Sequence, residues 1–168
     1  HIANAIVKER KKTPIETTGR LANIIREVVR SRASKKKSKH NKIDPATRTF
    51  QVIRIKVNDE LSELDRGLNA AEKILKPGGK LAVVSFHSIE DRIVKLFLRK
   101  RSGSDARASR HLPEIVSIKE PTWTLISKKA IKPSEPEISK NPRARSARLR
   151  VAERTKAPSW GFINEGNE

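Results

Sequence analysis

The stretch of this chain that most restricts its fold runs from Leu75 to Arg92 and reads LKPGGKLAVVSFHSIEDR. A Lys-Pro pair ends a helix and two glycines supply a turn. The apolar run from Leu81 to Phe86 is typical of a strand that is buried on both faces. Ser88 then begins an amphipathic segment, with Asp91 as its predicted capping-box partner. The order helix, turn, buried strand, helix predicts an α/β fold.

The junction between this strand and the following helix is the first candidate site. It consists of Ser85, Phe86, His87 and Ser88. Open α/β sheets bind their ligands at the carboxyl ends of the strands, which is where these four residues lie.

Charge narrows the range of partners. The 168 residues include 38 Lys and Arg against 19 Asp and Glu, which gives a net charge of +19. Such a charge indicates a polyanionic partner, most often nucleic acid. No apolar run reaches the roughly 18 residues of a membrane span, and the first residues lack the apolar core of a signal peptide. We therefore expect a cytoplasmic protein without membrane contact.

Some residue types are missing altogether. Without cysteine, and with its histidines scattered along the chain, the sequence predicts neither a disulfide nor a metal site. The chain contains no methionine, and it starts at His1 with Ile2, Ile6 and Val7 already in helical register. We expect that an amino-terminal part is missing.

The first 64 residues read as helices. One helix ends at Lys12 before Thr13 and Pro14, and a second follows a cap at Thr17 or Thr18. The basic stretch 31–42 is an exposed loop, either simply solvated or in contact with RNA phosphate.

The longest helix is predicted from the cap at Asp44 to about Leu64 or beyond. It carries a single buried seam of Phe50, Ile53, Val57, Leu61, Leu64 and Leu68. Arg48 and Arg54 lie beside or opposite the seam, where most residues are solvated and the rest contact a partner. The amide of Asn58 would read a base edge or merely satisfy backbone groups.

After the central unit, residues 100–113 read as a mobile loop and residues 123–131 as a strand. A short helix begins near Glu135, and alternation of apolar and basic residues predicts a strand in the second half of 141–154. Arg143 and Arg145 occupy the turn before that strand, where they meet phosphate or only keep an edge soluble. The tail from Thr155 onward is predicted to be disordered.

Longer motifs carry a resemblance to a known family. LKPGGKLAVVSF is similar to the helix, turn and fifth strand of class I S-adenosylmethionine-dependent methyltransferases. AIVKERKKTPIETTGRLANII, IDPATRTFQVIRIKVNDELSELDRGL, VSFHSIEDRIVKLF and KPSEPEISKNPRARSARLRVAER closely resemble the bacterial small-subunit ribosomal RNA methyltransferase H family, also called MraW. The resemblance covers nearly all of residues 2–154.

This resemblance implies a fold and a division into parts. The fold would be the carboxyl-terminal part of a class I, Rossmann-like methyltransferase sheet together with part of an inserted, all-helical domain. Residues 1–64 would be the latter part of the RNA-recognition insert, and residues 65–154 would supply strands five to seven. A lone partial sheet would expose its unpaired edge, which predicts poor solubility or a molten state.

The resemblance also implies an activity, the transfer of a methyl group from S-adenosylmethionine to N4 of a cytidine in the decoding region of 16S rRNA. The partner would be 16S rRNA or the small ribosomal subunit. The family's glycine-rich cofactor loop, ribose-binding acid and SSPQ-like loop do not occur here, so no cofactor-binding residue is assigned. The cofactor site would lie mostly in the missing half, and we expect this chain to be inactive alone.

Within the chain, the resemblance gives two catalytic candidates, His87 and Ser85. Phe86 would stack on the base, and His87 would hydrogen-bond it or relay a proton. The opposing interpretation makes Phe86 a core residue, His87 a structural hydrogen bonder and Ser88 only a cap. The candidates for substrate binding are Phe86, Ser88, Arg92, Arg48, Arg54, Asn58, Arg143, Arg145 and Arg148.

Two other classes of function compete with an enzyme. A basic RNA-binding or ribosome-associated module without catalysis explains the charge, but not the glycine turn and buried strand that lead into a capped helix. A DNA-binding helical protein suits residues 44–64, although a seam that broad favours intramolecular packing.

Overall fold

The computed structural model describes residues 1–32, 44–104 and 119–160 of the chain. Its internal contacts separate two compact units, His1–Glu60 (unit 1) and Leu61–Glu168 (unit 2). Among the described residues, no helix combines the length and the apolar character needed to cross a membrane. Most of the two predicted loops and of the predicted tail fall outside the description, which omits 33–43, 105–118 and 161–168. The first residues of each predicted loop are helical, because the helices before them extend to Arg32 and Arg101.

Unit 1 consists of three helices, α1 Ile2–Lys12, α2 Thr18–Arg32 and α3 Ala46–Val57. The first ends at Thr13, as predicted, and the Thr17 hydroxyl accepts the N–H of Arg20 at 3.2 Å to cap the second. The core of the unit is small, with three buried residues and four half-buried ones packed on them: Ala22, Ile25, Ala46, Ile2, Leu21, Val29 and Phe50.

An ion pair joins α2 to the start of α3. Asp44 Oδ1 accepts the N–H of Ala46 at 2.9 Å, and Asp44 Oδ2 lies 3.1 Å from Arg26 Nε. The predicted capping role of Asp44 is therefore present, although the helix begins at Ala46. The hydrogen bond from Arg26, followed by that from Ala46, holds the pKa of Asp44 below its ordinary value.

We expect the stabilisation from Asp44 to disappear in acid. A carboxyl group with a depressed folded-state pKa contributes stability above its unfolded pKa of about 3.9, and this contribution is lost as the pH falls through the folded value. The Asp44→Asn variant keeps an acceptor for Ala46 and loses the charge. Urea unfolding of both proteins from pH 2 to 6 should give a stability difference that is constant above about pH 5 and shrinks below it. A difference that grows towards low pH would contradict this assignment.

The prediction of one long helix from Asp44 to Leu64 is wrong, because helix α3 ends at Val57. Asp59 adopts a left-handed conformation with φ of 51°, and a new helix, α4, spans Glu60–Ile74. The single seam is broken as well. Val57 is 76% exposed and Ile53 is 39% exposed, while Phe50 packs in the core of unit 1 and Leu64 and Leu68 in that of unit 2. Helical spacing alone does not reveal a one-residue reversal of the backbone.

Unit 2 combines helices with a small sheet. The remaining elements are β1 Lys80–Ser85, α5 Ser88–Arg101, β2 Trp123–Leu125, α6 Glu135–Lys140, a 3₁₀ helix at Pro142–Ser146 and β3 Arg148–Arg154. The sheet order is β1-β3-β2, and both pairings are antiparallel. The predicted mixed α/β architecture is confirmed at this level, as are the strand in 148–154 and the short helix at Glu135.

The core of unit 2 lies between the sheet and α4 and α5. Its buried apolar residues are Leu68, Val94, Phe97, Leu98, Trp123 and Ala152. A polar cluster is buried beside them. Arg101 Nε lies 3.0 Å from Glu72 Oε1, and Arg154 Nε donates to the Glu72 carbonyl oxygen at 2.9 Å. This cluster ties both helices to the end of the sheet where β3 terminates.

The prediction that the central strand is buried on both faces is wrong for the described residues. Leu81, Val83 and Ser85 face the covered side of β1, whereas Ala82 and Val84 alternate with them and are exposed, Val84 by 53%. The reason is that no described element packs on the second face of β1, so its side chains alternate between covered and exposed.

The predicted disordered tail does not begin at Thr155. The N–H of Thr155 donates to the Thr122 carbonyl at 3.0 Å, Ala157 is buried, and the Trp160 indole donates to the Glu120 carbonyl at 2.9 Å. Residues 155–160 are therefore anchored to unit 2 by specific contacts.

Candidate functional site at the carboxyl end of strand β1

Ser85, the last residue of β1, is directed inward. Its side chain is buried, and its hydroxyl donates to the backbone carbonyl of Arg148 at 3.4 Å. Arg148 is also its partner in the register between β1 and β3. The hydroxyl is thus committed to fastening the two strands together.

His87 is the N-cap of α5, in place of the predicted Ser88. Its backbone is extended, with φ of −139° and ψ of 162°, and its ring Nδ1 accepts the N–H of Glu90 at 3.3 Å. Because Nδ1 accepts, the proton of the neutral ring resides on Nε2. The capping-box partner is Glu90 and not Asp91, which corrects the sequence prediction. His is an unusual cap, and so the spacing His87-x-x-Glu90 did not reveal it.

Glu90 holds the whole junction. Its Oε2 accepts the N–H of Phe86 at 2.9 Å and that of His87 at 3.3 Å, while its Oε1 lies 3.1 Å from His87 Nε2. One carboxylate therefore constrains two consecutive peptide groups and an imidazole ring. The backbone from strand to helix is fixed without help from a ligand.

The hydrogen bonds from Glu90 hold Phe86 in an outward-facing position. Phe86 is 58% exposed, and Ser88 and Arg92 on the following helix are exposed as well. A large aromatic ring on the surface, at a backbone position held by hydrogen bonds, is unusual for a residue that serves only the core. The structure therefore does not place Phe86 in the core of unit 2.

Asp91 has a different role from the predicted one. Its two carboxylate oxygens accept from Arg150, Oδ1 from Nε at 2.7 Å and Oδ2 from Nη2 at 3.1 Å. This bidentate pair joins α5 to β3. The two residues are 59 positions apart, so no local sequence pattern predicts the pair.

Three of the predicted phosphate-binding arginines lie at this end of the sheet. Arg148 begins β3 opposite Ser85, and Arg143 and Arg145 belong to the 3₁₀ helix immediately before it. Arg143 and Arg145 are exposed, and Arg148 is half-buried, with its guanidinium donating to the adjacent Ala147 carbonyl at 2.9 Å. The structure thus brings these residues to the same sheet end as residues 85–88.

The three candidates from residues 1–64 belong to unit 1. Arg48 is exposed. Arg54 Nε lies 2.8 Å from Glu60 Oε1, and the amide of Asn58 donates to the same oxygen at 3.2 Å. Arg54 and Asn58 are therefore engaged with one carboxylate at the turn that follows α3.

The residues present at the end of β1 do not form a site for S-adenosylmethionine by themselves. A ribose-binding site needs an available carboxylate near a strand end. The two carboxylates here, those of Glu90 and Asp91, are occupied by the capping box and by Arg150. The side chains of this site are suited to stacking and to anion binding.

Comparison with known proteins identifies the family. The model of the MraW methylase family matches residues 1–155. Proteins named ribosomal RNA small subunit methyltransferase H are similar to this chain. The one from Paramagnetospirillum magneticum is 54% identical over 97% of this chain and 49% of its own length. Those from Rhodopseudomonas palustris and Caulobacter vibrioides are 55% and 53% identical over 95% of this chain and 45% and 49% of their own lengths.

The chain therefore spans about half the length of the curated relatives that it matches. The match nonetheless extends along almost all of its residues, and the resemblance predicted from its motifs is confirmed. The chain belongs to the MraW methylase family.

Proposed function

We propose that this chain is part of an enzyme that uses S-adenosylmethionine to methylate N4 of a cytidine in the decoding region of 16S rRNA. The observation that carries the proposal is the exposed ring of Phe86, whose backbone is held by Glu90. The same end of the sheet holds Arg143 and Arg145, which have no carboxylate partner among the described residues. The names of the relatives supply the rRNA and methyl-transfer parts of the proposal. A ribosomal substrate places the reaction in the cytoplasm.

The chemistry requires orientation above all. The exocyclic amine of cytosine is a poor nucleophile, so it must be held in line with the methyl donor and must lose a proton. The Phe86 ring would stack on the base, and Arg92, Arg143 and Arg145 would hold flanking phosphates. S-adenosylmethionine, when bound, supplies the methyl group. We infer that most of its site is formed by sequence that the relatives have and this chain does not cover.

We infer that His87 positions Phe86 and does not take the proton. A base must have a free nitrogen lone pair, and Nδ1 of His87 already accepts the Glu90 N–H, while Nε2 carries the ring proton and lies beside the Glu90 carboxylate. Ser85 is committed to the Arg148 carbonyl. His87 and Ser85, the two predicted catalytic residues, therefore have structural roles in the proposed site.

Two variants of His87 separate these roles. In an enzyme completed by fusing this chain to the segment that it does not cover in its relatives, His87→Asn should keep most of the turnover. Asn is a good N-cap and preserves the turn between β1 and α5. His87→Ala removes the cap and should destabilise α5 by about 0.5–2 kcal/mol, with a matching loss of turnover. The measurements are steady-state methylation and urea unfolding of both variants. Turnover lost equally in both, with α5 stable in His87→Asn, would restore His87 as a catalytic residue.

The activity itself is tested with labelled S-adenosylmethionine and 16S rRNA in small ribosomal subunits. The proteins to compare are the 168-residue chain and a fusion of this chain to the unmatched segment of the Paramagnetospirillum relative. We expect N4-methylcytidine, identified by mass spectrometry, from the fusion alone. Methyl transfer by the 168-residue chain would refute its predicted inactivity, and none from a folded fusion would refute the proposed reaction.

A basic RNA-binding module is the second candidate function, favoured by the net charge of +19. It predicts that the folded fusion binds rRNA without transferring a methyl group. The same experiment therefore separates the two candidates.

A further inference from the structure

A basic cavity lies in unit 2, away from the end of β1. Its volume is about 520 Å³, and it is lined by Lys95, Arg99, Gly103, Ser104, Leu125 and Lys128. This volume is in the range of about 300–1,000 Å³ that is typical of ligand sites. Three of the six lining residues are cationic, and none is acidic.

Neighbouring cavities show that this charge pattern is not a uniform consequence of a basic chain. The cavity between α4 and α5 includes Asp65 in its lining, and the one near Trp160 includes Glu120. Lys95 and Lys128 are exposed and form no side-chain hydrogen bond or ion pair within the described part of the chain. The ammonium groups of Lys95 and Lys128 therefore place positive charge at this cavity that no carboxylate in the described part of the chain pairs with.

Helix stability does not account for Lys95. Cations stabilise a helix only in its last turn, and Lys95 lies six residues before the end of α5 at Arg101. Lys95 and Arg99 are four residues apart, a spacing at which like charges repel and slightly destabilise a helix. The acidic residue four positions before Lys95 on α5 is Asp91, and its two carboxylate oxygens already accept from Arg150, which favours a role for Lys95 in binding an external anion.

The cavity is continuous with the candidate site along one face of α5. Ser88, Arg92, Lys95 and Arg99 are separated by four, three and four residues, which places them in one stripe of a helix with 3.6 residues per turn. The buried residues Val94 and Leu98 lie on a different face. At a rise of 1.5 Å per residue, Lys95 and Arg99 lie roughly 12–18 Å along the helix from His87.

We propose that this cavity binds the phosphate backbone of the RNA substrate, a few nucleotides from the base held at Phe86. The inference rests on the proposed function for the identity of the polyanion. The ammonium groups of Lys95 and Lys128 pair with phosphate oxygens. Such contacts carry no sequence information, and they fix the register of the RNA on the enzyme.

The first test is RNA binding by the double variant Lys95→Ala/Lys128→Ala, made in the folded fusion to the unmatched segment of the Paramagnetospirillum relative. Its matched control is Lys76→Ala/Lys156→Ala, which removes the same charge from exposed positions that do not line the cavity. Fluorescence anisotropy with a single-stranded RNA should give about tenfold weaker binding for the cavity variant at ~0.1 M salt, and little change for the control. The salt slope should fall by about 1.4, since each phosphate contact contributes about 0.7. Equal weakening by both pairs would overturn the proposal.

A second measurement does not depend on variants and uses the same fusion without substitutions. Acetylation of lysines, read by mass spectrometry, should show that RNA protects Lys95 and Lys128 but not Lys76 and Lys156. Inorganic phosphate at the same phosphate concentration should protect none of them. Equal protection of all four by RNA, or full protection by inorganic phosphate, would overturn the assignment to the RNA backbone. Neither measurement involves methyl transfer, so failure here is distinguishable from failure of the proposed reaction.

Discussion

Replacing Glu72 with alanine is expected to lower the free energy of unfolding of unit 2 by about 3–5 kcal/mol, the usual cost of removing one partner of a buried ion pair. Glu72 is fully buried, and its carboxylate faces the equally buried guanidinium of Arg101, with Nε 3.0 Å from Oε1. The Thr122 hydroxyl donates to the same oxygen. The variant would leave the Arg101 charge in the interior without its counterion.

The size of this effect depends on the contacts that Arg101 retains in the Glu72→Ala variant. Its Nη2 still donates to Asn69 at 2.7 Å, and its guanidinium still stacks over Phe97 at 4.0 Å from the ring centre. Those contacts hold the cation in place and prevent it from reaching water. Domains of this size are stable by only about 5–15 kcal/mol, so the loss would remove a large share of the total.

The matched control for Glu72 is Glu63→Ala on the same helix. The side chain of Glu63 is 68% exposed and pairs with Arg66 on the surface, so its removal should change stability by less than about 0.5 kcal/mol. Urea unfolding monitored by Trp123 fluorescence measures both variants. Equal effects would mean that the buried pair contributes no more than a surface pair. A double Glu72→Leu/Arg101→Leu variant should be more stable than Glu72→Ala, because it removes both charges of the pair and leaves neither without its partner.

Replacing Phe86 with alanine is expected to lower kcat/KM of the assembled methyltransferase by about 10- to 100-fold. Stacking of a base on an aromatic ring contributes about 1–3 kcal/mol, and this ring is 58% exposed, so little folding stability depends on it. The loss should therefore appear in catalysis and not in the unfolding curve. Phe86→Trp keeps a stacking surface and should retain most of the activity.

The control for Phe86 is Ile126→Ala, a similar loss of apolar surface at a residue that is 51% exposed and follows β2. Methylation of small ribosomal subunits at several RNA concentrations gives kcat and KM for both variants. Unchanged kinetics for Phe86→Ala would exclude stacking at this ring. A large loss of stability would instead show that Phe86 is a packing residue in the assembled enzyme.

Elements with strong local signals were predictable from the sequence. The glycine turn and apolar run gave β1, and alternation of arginines with apolar residues gave β3. Ser134, followed by two glutamates, gave α6, in which its hydroxyl accepts the N–H of Glu137 at 3.4 Å. Propensity, capping and hydrophobic period act within a few residues, so they can be read from a single sequence.

The location of the candidate site remains a prediction, made because strand ends in α/β folds bind ligands. The contacts of its residues were not predictable from the sequence. His87 emerged as a cap because Glu90 folds back onto it, and Asp91 was assigned to the helix start although it pairs with Arg150. Each of these outcomes depends on the direction of a side chain, which spacing does not specify.

The sequence by itself determined the family, the basic character and the order of most helices and strands, because these follow from motifs, charge and local periodicity. Only the tertiary structure decided which face of β1 is covered, where the helix after Asp44 breaks and which carboxylates remain available. The physical reason is that Glu72 meets Arg101 and Asp91 meets Arg150 across 29 and 59 residues. Pairings at such separations are selected by the packing of whole elements, and short-range patterns carry no record of them.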